Sequence, residues 1–108
     1  MKLLLDENLP KKLKLDFTEH EIYTVADKGW SGIKNGELLK LLLLEGFDAL
    51  FTFDKNLQYQ QNFKKYTITV FVLTASINTY NELTKLSPKV KAHLDGESTR
   101  QSTVIIIA

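Results

Sequence analysis

The chain contains no cysteine, which excludes a disulfide framework and thiolate metal sites and is compatible with a reducing interior. Long apolar runs are also missing. Residues 41–44 form a run of four leucines, too short to cross a bilayer. The opening MKLLL has a charge and leucines, but Asp6 and Glu7 end it well short of a signal-peptide apolar region. An excess of either charge is absent too. Fourteen Lys and Arg stand against thirteen Asp and Glu, a net charge of +1, so partners have to be sought in local clusters rather than in overall charge. The expectation is a soluble, cytoplasmic protein with no membrane partner. What the chain does have is 108 residues, 44% of them hydrophobic, enough for one compact domain over residues 1–108. It shows no internal repeat, low-complexity tract or linker.

Residues 2–5, KLLL, form a short run whose three leucines show no polar alternation, as expected of a strand buried on both faces of a parallel sheet. Residues 9–17, LPKKLKLDF, place Leu9, Leu13 and Phe17 on one helical stripe, with Lys11, Lys12 and Lys14 largely off it. Residues 20–26 are rich in β-branched and aromatic residues and read as a second strand. Three glycines, Ser31 and Asn35 make residues 28–36 an ordered loop. Glu37 then opens a leucine-rich helix that Gly46 closes. FDALFTF, residues 47–53, is a third strand; a short helix is expected after it, and residues 67–73 form a fourth strand. An amphipathic helix over residues 78–94, broken before Pro88, precedes a fifth strand in STVIIIA. This alternation predicts an α/β fold, a three-layer α/β/α sandwich on a mainly parallel five-stranded sheet.

Asp6 follows the first strand and Asp54 the third, where functional groups collect in open parallel sheets. Glu37 opens a helix at the same edge. Each carboxylate has a structural use: Asp6 or Asp54 as a helix cap, Glu37 against a helix dipole. Together in one cleft they would repel, and a hard divalent cation such as Mg²⁺ or Mn²⁺ would hold them ionised. Such a metal activates water and neutralises phosphoryl charge, the chemistry of phosphodiester hydrolysis. Glu7 and Asp27 rank below Asp6, because strand alternation turns the neighbour of Asp6 the other way. Lys11, Lys12 and Lys55, with Lys14, Lys64 and Lys65, are candidate phosphate contacts, and Trp30, Tyr59 and Tyr66 candidate stacking rings. Trp30 in its glycine-rich loop is read slightly more readily as an anchor to the core. Gln58, Gln60, Gln61 and Asn62 form a polar cluster able to orient a water or a phosphate.

LLLDENLP, HEIYTVADKGWSG, NGELLKLL and DALFTFDKNL occur in an order and spacing that resembles small PIN-like proteins related to VapC-type toxins, across nearly the whole chain. The resemblance implies a PIN-like fold and, in active members, metal-dependent RNA cleavage by acidic residues at the positions of Asp6, Glu37 and Asp54. It also implies pairing with a small antitoxin. Where many members carry a further acidic residue two positions after the third-strand aspartate, this chain has Asn56, which predicts low activity. The helices over residues 38–44 and 77–94 are candidate surfaces for an antitoxin or for a homodimer. Two other classes compete. One is a catalytically weak protein-binding module. The other is a receiver-like phosphoacceptor, matched by Asp6 with Glu7, Asp54, and Thr74 with Ala75, but lacking a lysine after the fifth strand.

Overall fold

The computed structural model describes residues 1–53, 68–96 and 103–108. Five strands form one sheet: β1 (Lys2–Leu5), β2 (Glu21–Thr24), β3 (Ala49–Thr52), β4 (Thr69–Leu73) and β5 (Thr103–Ile107). Their order is β2-β1-β3-β4-β5 and every pairing is parallel. The expected α/β class is therefore present, with an all-parallel rather than mainly parallel sheet. The central strands are apolar on both sides because both sides are covered. Leu3, Leu5, Phe51 and Phe71 join a core that includes Leu13, Phe17, Leu83 and Val90. Leu4, Leu50, Val70 and Val72 face a second core, supplied by Leu38, Leu39 and Leu42.

Residues 9–17 were expected as a helical stripe. The observed element is a 3-10 helix, Lys11–Phe17, with Leu13 and Phe17 buried and Leu9 buried just before it. Its geometry follows from its task. The chain leaves β1 at the C-terminal edge and must return to the N-terminal edge, where Glu21 pairs beside Lys2. Seven residues of 3-10 helix span about 14 Å, whereas the same seven in an α-helix span about 10 Å. A four-residue strand is about 13 Å long, so the stretched helix closes the crossover without extra residues. Phe17 then stacks against Phe51 at 5.0 Å between ring centroids, and Phe51 against Phe71 at 5.4 Å, tying the crossover to the sheet.

Helix α1 (Asn35–Leu44) starts two residues before Glu37, which lies in its first turn. It ends in a Schellman motif: the Gly46 N–H donates to the Leu43 carbonyl and the Phe47 N–H to the Leu42 carbonyl, with Gly46 at φ +74°. Leu38, Leu39 and Leu42 of α1 are core, Leu41 and Leu43 are half-buried, and Leu44 is exposed to solvent. The long helix expected over residues 78–94 divides into α2 (Tyr80–Leu83), a 3-10 turn (Thr84–Leu86) and α3 (Ser87–Leu94), with Pro88 in the first turn of α3. Thr79 caps α2 by accepting from the Glu82 N–H. The short helix expected after β3 lies outside the described residues.

Asp16 fastens the 3-10 helix to these C-terminal helices. Its carboxylate accepts from the hydroxyls of Tyr80 at 2.7 Å, Thr84 at 2.6 Å and Ser87 at 2.6 Å. Partial burial pushes the carboxyl pKa up, but the three hydroxyls and the nearby Lys91 charge outweigh it and hold the group below the usual aspartate value. The ionised form is thus favoured by folding, and its contribution to stability is present above the unfolded-state pKa and lost as pH falls through the lower folded-state pKa. Asp16→Ala, which strands three hydroxyls, should cost about 2–4 kcal/mol at pH 7 in urea denaturation. The difference between wild type and variant should shrink below about pH 4; an unchanged difference at acid pH would show that the carboxylate charge is not what binds the three hydroxyls.

Candidate functional site

The strand order reverses direction between β1 and β3, since the chain steps from β1 outward to β2 and then crosses back to β3. In open parallel sheets this is where a crevice forms beyond the carboxyl ends of the strands. Asp6 is the first residue past β1 at that point. Its backbone N–H continues the ladder by donating to the Phe51 carbonyl at 2.9 Å. Its carboxylate is fixed from two sides: Oδ2 accepts from the Thr52 hydroxyl at 2.9 Å and Oδ1 from the Glu7 N–H at 2.9 Å. The helix-cap alternative for Asp6 does not hold. The residue preceding the 3-10 helix is Pro10, which makes no side-chain capping bond, and the Asp6 side chain points to β3 instead.

A pocket of about 240 Å³ opens beside Asp6 on the β2 side. Leu5, Leu9, Val25 and Ala26 form apolar walls, while Asp6, Glu7, Lys11, Thr24 and Ser31 supply polar groups. Glu7 belongs to this pocket although strand alternation turns it away from Asp6. The extended backbone stops at Leu5, and a turn closed by the Leu9 N–H on the Asp6 carbonyl brings both carboxylates to one side. The Glu7 carboxylate straddles the Gly32 N–H at 3.3 and 3.4 Å. Gly32 has φ +82°, a conformation that glycine alone adopts without strain, and the resulting bend directs its N–H toward Glu7.

The neighbouring loops are tied to the same edge. Asn8 Oδ1 accepts from the Phe53 N–H at 3.4 Å, and the Asn8 carbonyl accepts from Asn78 Nδ2 at 2.6 Å. Asn8 thereby links the segments that follow β1, β3 and β4. Trp30 packs against Phe47 at 5.9 Å, with Lys28 Nζ 5.3 Å from its ring centroid, so it pins the glycine-rich loop to the core as expected.

Other candidates have separate engagements. Asp27 is bound by Lys14 Nζ at 2.6 Å and by the Thr24 N–H at 2.9 Å, and these contacts hold its carboxyl below the usual aspartate range. It does not line the pocket. Glu37 is exposed, 3.5 Å from Lys40, and is not among the pocket residues either. Lys12 lies over the Tyr80 ring at 4.9 Å, whereas Lys11 lines the pocket. Asp54, Lys55 and Asn56 lie outside the described residues, as do Tyr59, Lys64, Lys65, Tyr66 and the Gln58, Gln60, Gln61 and Asn62 cluster. Among the described residues, no group of three or more His, Asp or Glu side chains is arranged to hold a metal ion. No helix among them is long and apolar enough to cross a membrane.

Sequence reasoning missed Thr52 and Asn8, the two side chains that fix Asp6 and its loop. Thr52 carried a usable signal: a hydroxyl within the apolar run FDALFTF, at a strand position where a polar group needs a partner. The molecule is thus an α/β protein with a polar pocket at the carboxyl edge of its sheet. No protein-family model, curated protein or solved structure matches the chain.

Thr52 is fully buried, and Thr52→Val keeps its shape while removing the hydroxyl that Asp6 accepts from. The variant should lose about 1–3 kcal/mol of stability. Urea denaturation measures it, and no loss would mean that the Asp6 carboxylate is held without Thr52.

Proposed function

We propose that the protein is a metal-dependent ribonuclease of PIN-like type, acting as the toxin of a toxin-antitoxin pair. The observation that carries this reading is the placement of Asp6 at the reversal of strand order, its carboxylate fixed by Thr52 and the Glu7 N–H beside a polar pocket. The family resemblance rests on the motifs quoted above, and Asp6 opens the first of them.

Mg²⁺ or Mn²⁺ is the cation implied, and the donor chemistry fits. Asp6 offers hard oxygen ligands, and hydrogen bonds to a carboxylate from a hydroxyl and an N–H are the outer support that metal-binding carboxylates use. Asp6 and Asp54 would hold the ion, whereas Glu37, the third acidic residue of the family pattern, is exposed beside Lys40 and does not line the pocket at Asp6. When bound, such an ion lowers the pKa of a water and neutralises charge on a phosphoryl oxygen. The chain's own contribution is positional. Thr52 keeps one Asp6 oxygen turned toward β3, and Lys11, at the pocket, is available to an RNA phosphate. An antitoxin would act by covering this edge.

The strand order itself favours a second reading, the receiver-like phosphoacceptor, because flavodoxin-like sheets share the order 2-1-3-4-5. Against it, the Thr74 hydroxyl donates to the Ile107 carbonyl at 2.9 Å and so directs its proton away from a phosphoryl group.

With saturating Mn²⁺ the purified protein should cleave single-stranded or structured RNA slowly, and Asp6→Asn or Asp54→Asn should reduce cleavage to background. An amide keeps the size of the carboxylate but removes the charge that holds the cation. Asn56→Asp should raise the rate. If neither wild type nor Asn56→Asp exceeds the Asp6→Asn control in a gel assay, the nuclease reading fails. Covalent labelling of Asp54 by a small-molecule phosphodonor would then support the receiver.

A further inference from the structure

We infer that the pocket beside Asp6 seats a single unpaired base, and that the base is guanine. The inference deepens the ribonuclease reading and rests on it for its biological setting, although the pocket chemistry stands by itself. At about 240 Å³ the pocket is smaller than the roughly 300–1,000 Å³ of sites that enclose drug-sized ligands. One ring system fits, whereas a whole nucleotide does not. The walls have the two characters that a base requires. Ala26 offers exposed apolar surface to one face over a closed floor of Leu5, Leu9 and Val25, and Glu7 offers a carboxylate to its edge.

Glu7 decides which base. Its carboxylate has about four acceptor positions, and the described contact to it is one long, shared bond from the Gly32 N–H. Acceptor capacity therefore remains for two parallel donors. Guanine presents two adjacent donors, N1–H and the N2 amino group, on one edge. Adenine and cytosine place an acceptor beside their amino donor, and uracil places its N3–H between two carbonyl oxygens. These acceptors would face the carboxylate and repel it. Lys11, also at the pocket, matches the 5′ phosphate of the same nucleotide. The Gly32 bond sets the rotamer of Glu7, so the recognition edge is formed before a base arrives.

The protein carries its own probe, because Trp30 is the single tryptophan and adjoins Ser31 of the pocket. Titration of the metal-free protein with 5′-GMP, 5′-AMP, 5′-CMP and 5′-UMP, followed by Trp30 emission and by NMR shifts, should give a dissociation constant for GMP at least roughly tenfold below the others. Glu7→Gln should erase that preference. Lys11→Ala should weaken all four nucleotides about equally, since a phosphate contact carries no base information. Equal binding of the four, a GMP preference that survives in Glu7→Gln, or no binding at all would overturn the proposal. Because no metal is present, the outcome is independent of cleavage. RNA hydrolysis without guanine preference would defeat this inference and leave the ribonuclease reading intact, and GMP selectivity without hydrolysis would do the reverse.

Discussion

The constraint on which the rest of this structure depends is that its central strands are buried on both faces. β1, β3 and β4 lie between two apolar cores, and every described side chain in β3 and β4 is buried. A strand in that position cannot project a charged group sideways without desolvating it, which is costly unless the group is paired. Polar chemistry is therefore confined to the strand ends. Asp6 sits one residue beyond such a strand, and the only β3 side chain that it accepts from, Thr52, is the hydroxyl at the last position of β3.

The same constraint explains how much was legible. Unbroken apolar runs at residues 3–5 and 70–73 report two-sided burial directly, so a parallel sheet covered on both faces could be expected from them. Gly46 announced its Schellman motif because few residues tolerate the required backbone angle. Residues 11–17 were harder. Their stripe of Leu9, Leu13 and Phe17 fixes which side is buried but not how tightly the backbone is wound, and the winding is set by the distance that the crossover must span. The break at residues 84–86 was legible as a consequence of Pro88, although the proline marks only the start of the following helix.

At the site, position along the chain was more informative than orientation. Asp6 was identifiable because a charge after an apolar run is unusual. The joint membership of Glu7 in its pocket was not, because it depends on a turn that abandons strand alternation. Asp27 illustrates the converse. It stands at the end of a strand, as a functional carboxylate would, yet its engagement with Lys14 and Thr24 serves the junction between the 3-10 helix and β2. Asp16 had no sequence signal at all. A carboxylate that gathers three hydroxyls becomes visible only when residues 80–87 are folded back against residue 16.

The position of β1 inside the sheet has a consequence for biosynthesis. Its partners are β2, which is near in sequence, and β3, so that Leu3 pairs with Ala49. As the chain leaves the ribosome, β1 can pair first only with β2, and its second edge stays open until residue 49 and its neighbours have emerged. During that interval three consecutive leucines and one row of unpaired amides are exposed together, a combination that invites association with other chains. The closure of such non-local pairings is slow. β1 thus passes through an exposed stage during synthesis, even though in the finished fold Leu3, Leu4 and Leu5 are among the least accessible of the described residues.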